Sequence, residues 1–145
     1  MRRAHDSLTL DLFEVPVARD PKPGALAVGL PLRHLLSDLL KASPLSRFDI
    51  AARMSELTGQ EITKNMIDSW TAESRDGWRF PLEYLPAFEV AVQTHDITAW
   101  VADLRGCKVL VGKEALDAEI GRLERARDEA TKRIKHLKHT MGEME

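Results

Sequence analysis

The chain has 145 residues, of which 43% are hydrophobic and 30% charged, and its formal net charge is −2. This composition is globular, and the length fits one domain with appendages. The slightly negative charge excludes an overall positive field that would draw the chain to nucleic acid or to an acidic membrane. The single cysteine, Cys107, excludes an internal disulfide, and the longest apolar run, residues 25–32, is too short to span a bilayer. We therefore expect a soluble, cytoplasmic protein.

Residues 1–30 differ from the rest of the chain and predict an extended arm or linker. Residues 15–24 contain three prolines, which fix their own backbone angles and disfavour helix before them. Before them, Leu10, Leu12 and Phe13 lie in an alternating stretch that is similar to the peptide with which bacterial proteins bind the replication sliding clamp. The usual Gln of that peptide is Thr9 here. An arm that adds a strand or packs on the core explains the same residues.

Residues 31–59 predict two helices. In the first, Leu32, Leu35 and Leu36 begin an i, i+3, i+4 apolar stripe, Pro31 suits the first helical position, and Ser43-Pro44 ends the helix. The second begins at Ser46, whose capping box with Asp49 satisfies free backbone donors, and stops at Gly59. Its expected inward residues are Ile50, Met54 and Leu57.

Three shorter helices are expected to follow. The third has Thr63 as its N-cap and buries Met66, Ile67 and Trp70. A polar loop leads to a fourth helix over residues 82–94, with Pro86 near its start. The fifth runs over residues 96–105 and is expected to bury Ile97, Trp100, Val101 and Leu104. Residues 108–111 predict a short extended bridge to the last helix.

Residues 46–72 carry the strongest functional indication. A helix-turn-helix needs a small residue on its first helix, here Ala51, a turn with Gly, and short polar side chains on the exposed start of its second helix. The segment resembles the helix-turn-helix of phage-repressor-type regulators, including those of Mu-like transposable phages. Residues 80–88 and 104–110 are similar to phage lysogeny regulators of the CII type, so that the resemblance covers residues 31–112. Ser55 stands where such regulators have the turn Gly, which makes the turn here longer.

The resemblance implies a sequence-specific, double-stranded DNA-binding regulator of phage or prophage type, acting as a dimer or higher oligomer. Asn is suited to bidentate contact with adenine, and Arg to phosphate, so that Lys64 and Asn65 are candidates for base edges. Arg47, Arg75 and Arg79 are candidates for phosphates. The full set of candidate DNA-binding residues is Arg47, Thr63, Lys64, Asn65, Ser69, Arg75 and Arg79.

Charge argues against this reading and leaves an alternative open. Residues 43–80 contain five Lys or Arg and six Asp or Glu, whereas DNA affinity depends largely on neutralising phosphates. The basic side chains would have to share one surface with the acids turned away. The alternative is an αα-hairpin in a non-enzymatic adaptor or structural protein, which uses its helical body and last helix to bind another protein.

The last helix, within residues 113–145, predicts an oligomerisation device. Its apolar residues repeat at spacings of four and three, a heptad pattern that one charged residue, Arg127, interrupts. A long helix with so narrow a stripe needs a partner surface, and self-association is preferred over packing on the body. The expected seam consists of Leu116, Ile120, Leu123, Arg127, Ala130, Ile134, Leu137 and Met141.

No catalytic or cofactor signature is found. The chain contains no phosphate-binding Gly-rich loop and no nucleophile elbow, and His136 and His139 lack a third ligand for a metal. We therefore expect no enzyme, no cofactor and no metal. The sequence predicts an all-α protein with an extended N-terminal arm (1–30), a helix-turn-helix-containing helical body (31–112) and a long C-terminal oligomerisation helix (113–145).

Overall fold

The structure is a computed structural model that describes residues 15–144, and these residues form an all-α protein, as the sequence predicts. A 3-10 turn over Leu82–Tyr84 precedes the fourth helix. The chain divides into two compact units, one up to Lys108 and one from Val109 onward. The helices are α1 (Gly29–Ala42), α2 (Arg47–Thr58), α3 (Lys64–Thr71), α4 (Leu85–Val92), α5 (Asp96–Leu104) and α6 (Lys113–Glu143).

The helix ends follow local chemistry, and three predicted caps are confirmed. The Ser46 hydroxyl accepts a hydrogen bond from the Asp49 backbone N–H at 3.1 Å, and the Asp49 carboxylate accepts one from the Ser46 N–H at 3.3 Å. Gly59 ends α2 in the left-handed conformation, with φ of 68°. At the start of α3, the Thr63 hydroxyl accepts from the Met66 N–H at 3.2 Å.

Several predicted boundaries are wrong in detail. Helix α1 begins at Gly29, so Pro31 lies inside its first turn rather than at its first position. The fourth helix is split, because the 3-10 turn precedes α4 and Gln93 ends α4 with a left-handed φ of 57°. Residues 108–111 are neither helix nor strand, which does not contradict the extended bridge that the sequence predicts. These differences arise where the sequence offers two adjacent starts or stops and packing selects between them.

The core lies between α1, α2, α3, α4 and α5. An aromatic cluster joins α3 to α4, with the rings of Trp70 and Phe80 edge to face at 5.2 Å and those of Phe80 and Phe88 at 5.7 Å. Two residues expected inside are exposed: Leu57 at 41% and Val101 at 45%. The largest fully buried side chains are Phe88, Leu36, Ile50, Met54, Ile67 and Ile97.

A buried carboxylate supports α5. Glu89 on α4 is only 6% exposed, and its two oxygens accept hydrogen bonds from the Thr98 backbone N–H at 2.8 Å and the Thr98 hydroxyl at 2.7 Å. Thr98 lies in the first turn of α5, where backbone N–H groups are free and an anion is favoured. Glu89 therefore acts as a tertiary cap that links α4 to α5.

The arm contacts the body beyond α5. Ala18 and Arg105 form an antiparallel bridge, and the Arg19 N–H donates to the Leu104 carbonyl at 3.0 Å. The approach needs Gly106, since a Cβ there would lie 2.6 Å from the Ala18 nitrogen. The candidate clamp-binding residues Leu10, Leu12 and Phe13 lie outside the described residues.

The second unit is dominated by α6, which spans 31 residues and buries none of them. At 1.5 Å per residue, its length is about 46 Å. Among residues 15–144, no helix combines the length and the apolar character that a membrane crossing requires.

Candidate nucleic-acid interface

The turn between α2 and α3 is held by Ser55. Its hydroxyl accepts a hydrogen bond from the Ile62 N–H at 2.9 Å and lies 2.8 Å from the Ala51 carbonyl, to which it donates. Ala51 is buried, as the close crossing of the two helices requires. Ser55, which stands where the regulators that this segment resembles have glycine, therefore fixes the start of α3. The longer turn is an ordered one.

The start of α3 presents polar side chains. Thr63 and Asn65 are exposed, whereas Lys64 is half-buried. The Lys64 ammonium lies 5.5 Å from the centre of the Phe48 ring on α2, a cation–π distance. Phe48 itself is 68% exposed and was not expected as part of a site. An exposed aromatic beside a cation is the sequence signal that could have indicated it.

The Asp68 carboxylate pairs with two of the candidate DNA-binding residues, one predicted to bind phosphate and one predicted to reach a base edge. Its carboxylate accepts from an Arg47 Nη at 2.6 Å and from the Lys64 Nζ at 2.6 Å. The hydrogen bond from Lys64 is the main cause that holds the pKa of Asp68 below its usual range; desolvation opposes it, and Arg47 adds to the lowering. Asp68 is therefore ionised at neutral pH, and the three side chains together carry a net charge of +1.

Ser69 is buried, so the prediction that it contacts DNA directly is wrong. It was expected on the exposed face of the third helix, but it is 3% exposed, and its hydroxyl donates to the Asn65 carbonyl at 2.8 Å. An Arg75 Nη donates to the same hydroxyl at 2.7 Å. The side chain of Arg75, from the loop that follows α3, thus lies against position 69 and separates it from solvent. Ser69 orients Arg75 and is not itself available to a ligand.

Arg33 is the structural residue that sequence reasoning missed. It lies on α1 and is 8% exposed, on the same helix face as the buried Leu36 and Leu40. Its spacing from those leucines was the available signal. Its guanidinium lies within hydrogen-bond distance of six backbone carbonyls, three at the end of α3 and three in the following loop: those of Ser69, Trp70, Ala72, Arg75, Asp76 and Trp78.

This arrangement couples the loop to the helix that precedes it. The carbonyls at a helix C-terminus carry partial negative charge, which a buried guanidinium neutralises. Arg33 therefore fixes both the end of α3 and the backbone of residue 75. Arg79 lines a cleft of about 720 Å³ between α1 and this loop, together with Arg33, Leu30 and Phe80. The structure therefore brings Arg47 and Lys64 together on one anion, whereas Arg75 and Arg79 have separate neighbours.

Three acids of residues 43–80 have neighbours of their own. Asp49 caps α2, Glu56 pairs with Arg53 on the same helix, and Glu73 pairs with His34. These contacts hold the three carboxylates in defined positions away from the Arg47–Lys64 pair, but they leave the net charge of residues 43–80 at −1, since Glu56 is neutralised by a cation of the same segment.

Comparison of the chain with protein-family models, with curated proteins and with solved structures gives no significant match. Within residues 15–144, no group of His, Cys, Asp or Glu is placed to hold a metal ion.

Proposed function

We propose that the protein is a sequence-specific, double-stranded DNA-binding regulator of phage or prophage type, in which the N-terminal end of α3 meets DNA. One observation carries the proposal: Arg47 and Lys64 converge on Asp68 of α3, a helix that packs against α1 and α2 and whose first turn carries the exposed Asn65. A helix start that carries amide and cationic side chains on a packed support is the geometry by which helix-turn-helix proteins enter the major groove.

Each residue then has a role that follows from its chemistry. Asn65 reads a base edge, with adenine as its natural partner. Lys64 reaches a base edge or a neighbouring phosphate, and Arg47 binds phosphate and sets the register. The exposed ring of Phe48 is suited to apolar contact with a thymine methyl group. Ser69 makes no direct contact with DNA in this arrangement, because it is buried, and it acts by holding Arg75 in place.

Asp68 limits affinity in this arrangement. It takes one hydrogen bond from each of two cations that DNA would also attract, and its negative charge repels a phosphate that approaches them. Arg47 and Lys64 keep further N–H donors, so both can bind Asp68 and a phosphate at once. The carboxylate therefore positions the two cations while reducing their net field.

A salt titration with random-sequence 30-base-pair duplex tests DNA binding. We expect the affinity to fall steeply with salt, because each bound phosphate releases counterions. Arg47→Ala should weaken binding to all duplexes and lower the salt slope by about one. Arg53→Ala is the matched control, since Arg53 is exposed on the same helix but pairs with Glu56. If the chain binds no duplex at low salt, the proposal is wrong and the adaptor alternative is favoured.

Selection from a random duplex pool tests sequence specificity. We expect the wild-type chain to enrich a defined motif and Asn65→Ala to relax one position of it, with a loss of about 1–3 kcal/mol of discrimination there. Equal losses on enriched and random duplex for Asn65→Ala and Arg47→Ala would contradict this division of roles.

A further inference from the structure

The apolar stripe of α6 is uncovered along its whole length. Six large apolar side chains lie on it, and each is more than half exposed. Such a stripe is costly in water, and in proteins most of the stability of a helix comes from packing its apolar face against a partner. The exposed members are Leu116 (67%), Ile120 (54%), Leu123 (53%), Ile134 (54%), Leu137 (62%) and Met141 (69%).

We propose that α6 pairs with the α6 of a second copy in an antiparallel orientation, in the register that places Leu116 beside the partner's Met141. This inference names the partner and the geometry of the oligomer that the sequence predicts. It goes beyond the proposed function and does not require DNA binding.

The spacing of the seam supports the antiparallel register. The intervals between its members read four, three, four, three, four, three, four, and they are the same in either direction. A reversed second copy therefore meets every seam position with a seam position. The resulting layers, each formed twice, are Leu116 with Met141, Ile120 with Leu137, Leu123 with Ile134, and Arg127 with Ala130.

The central layer decides between the two orientations. In the antiparallel register, Arg127 faces the small Ala130, whose methyl group leaves room for the long side chain to run over it and reach solvent. In a parallel in-register pair, Arg127 would face Arg127 and Ala130 would face Ala130, which combines charge repulsion with a void. The one charged and the one small member of the seam are complementary only when the helices run in opposite directions.

The distribution of charge along α6 also favours the antiparallel orientation. Residues 114–124 carry a net charge of −3, and residues 132–138 carry +4 with His neutral. Antiparallel pairing places each acidic segment beside a basic one, and Asp117 falls next to the partner's Lys138 on the flank of the seam. Parallel pairing would instead set Glu119 beside Glu124 and Arg133 beside Lys138, both of like charge.

Disulfide crosslinking tests the orientation. In a Cys107→Ser background, Leu116→Cys and Met141→Cys are made in chains with different tags. The two positions are about 37 Å apart along one helix, so each chain should fail to crosslink with itself. The mixture should give a mixed disulfide dimer. If Leu116→Cys crosslinks with itself as completely as in the mixture, or if no disulfide forms in any combination, the proposal is overturned.

A mismatched pair tests the register. Leu123→Cys mixed with Met141→Cys is one heptad out of the proposed alignment and should crosslink more slowly than the matched pair of Leu123→Cys with Ile134→Cys. The reverse order would overturn the register. No DNA is present in these experiments, so their failure is distinguishable from failure of the salt titration.

A charge exchange checks the pairing without cysteine. Asp117→Lys or Lys138→Asp alone should raise the dimer Kd by roughly 2- to 30-fold, the range for two exposed ion pairs. The double variant should recover the wild-type Kd, because each dimer regains both pairs. Absence of recovery would contradict the antiparallel flank, since these two positions do not meet in a parallel pair.

Discussion

The body and α6 each carry an arginine within a leucine-rich helical stripe, and the two have different surroundings. Arg33 is buried on α1, where backbone carbonyls of α3 and its following loop surround the guanidinium. Arg127 lies in the α6 seam, where no described residue is buried. The Arg127 guanidinium instead pairs with the exposed Asp128 at 3.2 Å. An arginine in an apolar stripe therefore belongs to a self-contained core when buried carbonyls of the same chain surround it, whereas an exposed one such as Arg127 leaves its stripe open to a second chain.

Replacing the buried arginine should give the largest effect. We expect Arg33→Met to lower the free energy of unfolding by about 3 kcal/mol or more, because several buried carbonyls lose their donor at once. Urea denaturation followed by tryptophan fluorescence measures it, with Trp70 reporting from the core. Arg53→Met, an exposed arginine on α2, should cost less than about 0.5 kcal/mol. Similar costs for the two variants would contradict the structural role of Arg33.

A charge in the α6 seam should affect association and leave the body unchanged. We expect Leu123→Lys to raise the dimer Kd by about 100-fold or more, since two buried leucines are lost in each dimer. Sedimentation equilibrium measures the Kd. The urea transition followed by tryptophan should not move, because all three tryptophans precede α6.

Ala118→Lys is the control for the seam variant, since position 118 lies on the opposite face of the helix in the heptad. It should leave the Kd unchanged. An equal effect of the two lysines would show that added charge, rather than the seam, determines association.

Removing the Ser55 hydroxyl from the turn between α2 and α3 should lower the stability by an intermediate amount. We expect Ser55→Ala to lower the free energy of unfolding by about 1–2 kcal/mol, because the Ile62 N–H loses its acceptor. Urea denaturation measures it, and Ser74→Ala in the exposed loop is the control. A cost for Ser55→Ala no larger than that of the control would mean that the turn holds without the hydroxyl.

The smallest effect concerns pH. Because the pKa of Asp68 is lower in the folded state than in the unfolded state, its contribution to stability is present above the unfolded pKa and is lost as the pH falls through the folded one. Asp68→Asn should therefore cost less than about 1 kcal/mol at pH 7 and nothing once wild-type Asp68 is protonated. Stability curves against pH measure the difference, with Asp38→Asn on α1 as a control. A difference that persists at acid pH would refute the linkage.

The sequence by itself determined the all-α class and the local signals. The capping box of Ser46, the N-cap Thr63 and the stop at Gly59 each depend on residues within about four positions, and the heptad stripe of α6 depends on spacing alone. These features are readable because helical periodicity and capping are properties of the local chain.

Tertiary structure decided the rest. Arg33 donates hydrogen bonds to carbonyls up to 45 positions away in the sequence, and Arg47 pairs with Asp68 across 21 positions. Ser69 is buried although its neighbours suggested an exposed face. No spacing rule specifies such contacts, because they depend on how the helices cross and on which buried polar groups need a partner. The sequence thus located the start of α3, and only the packed body determined which of its side chains face outward.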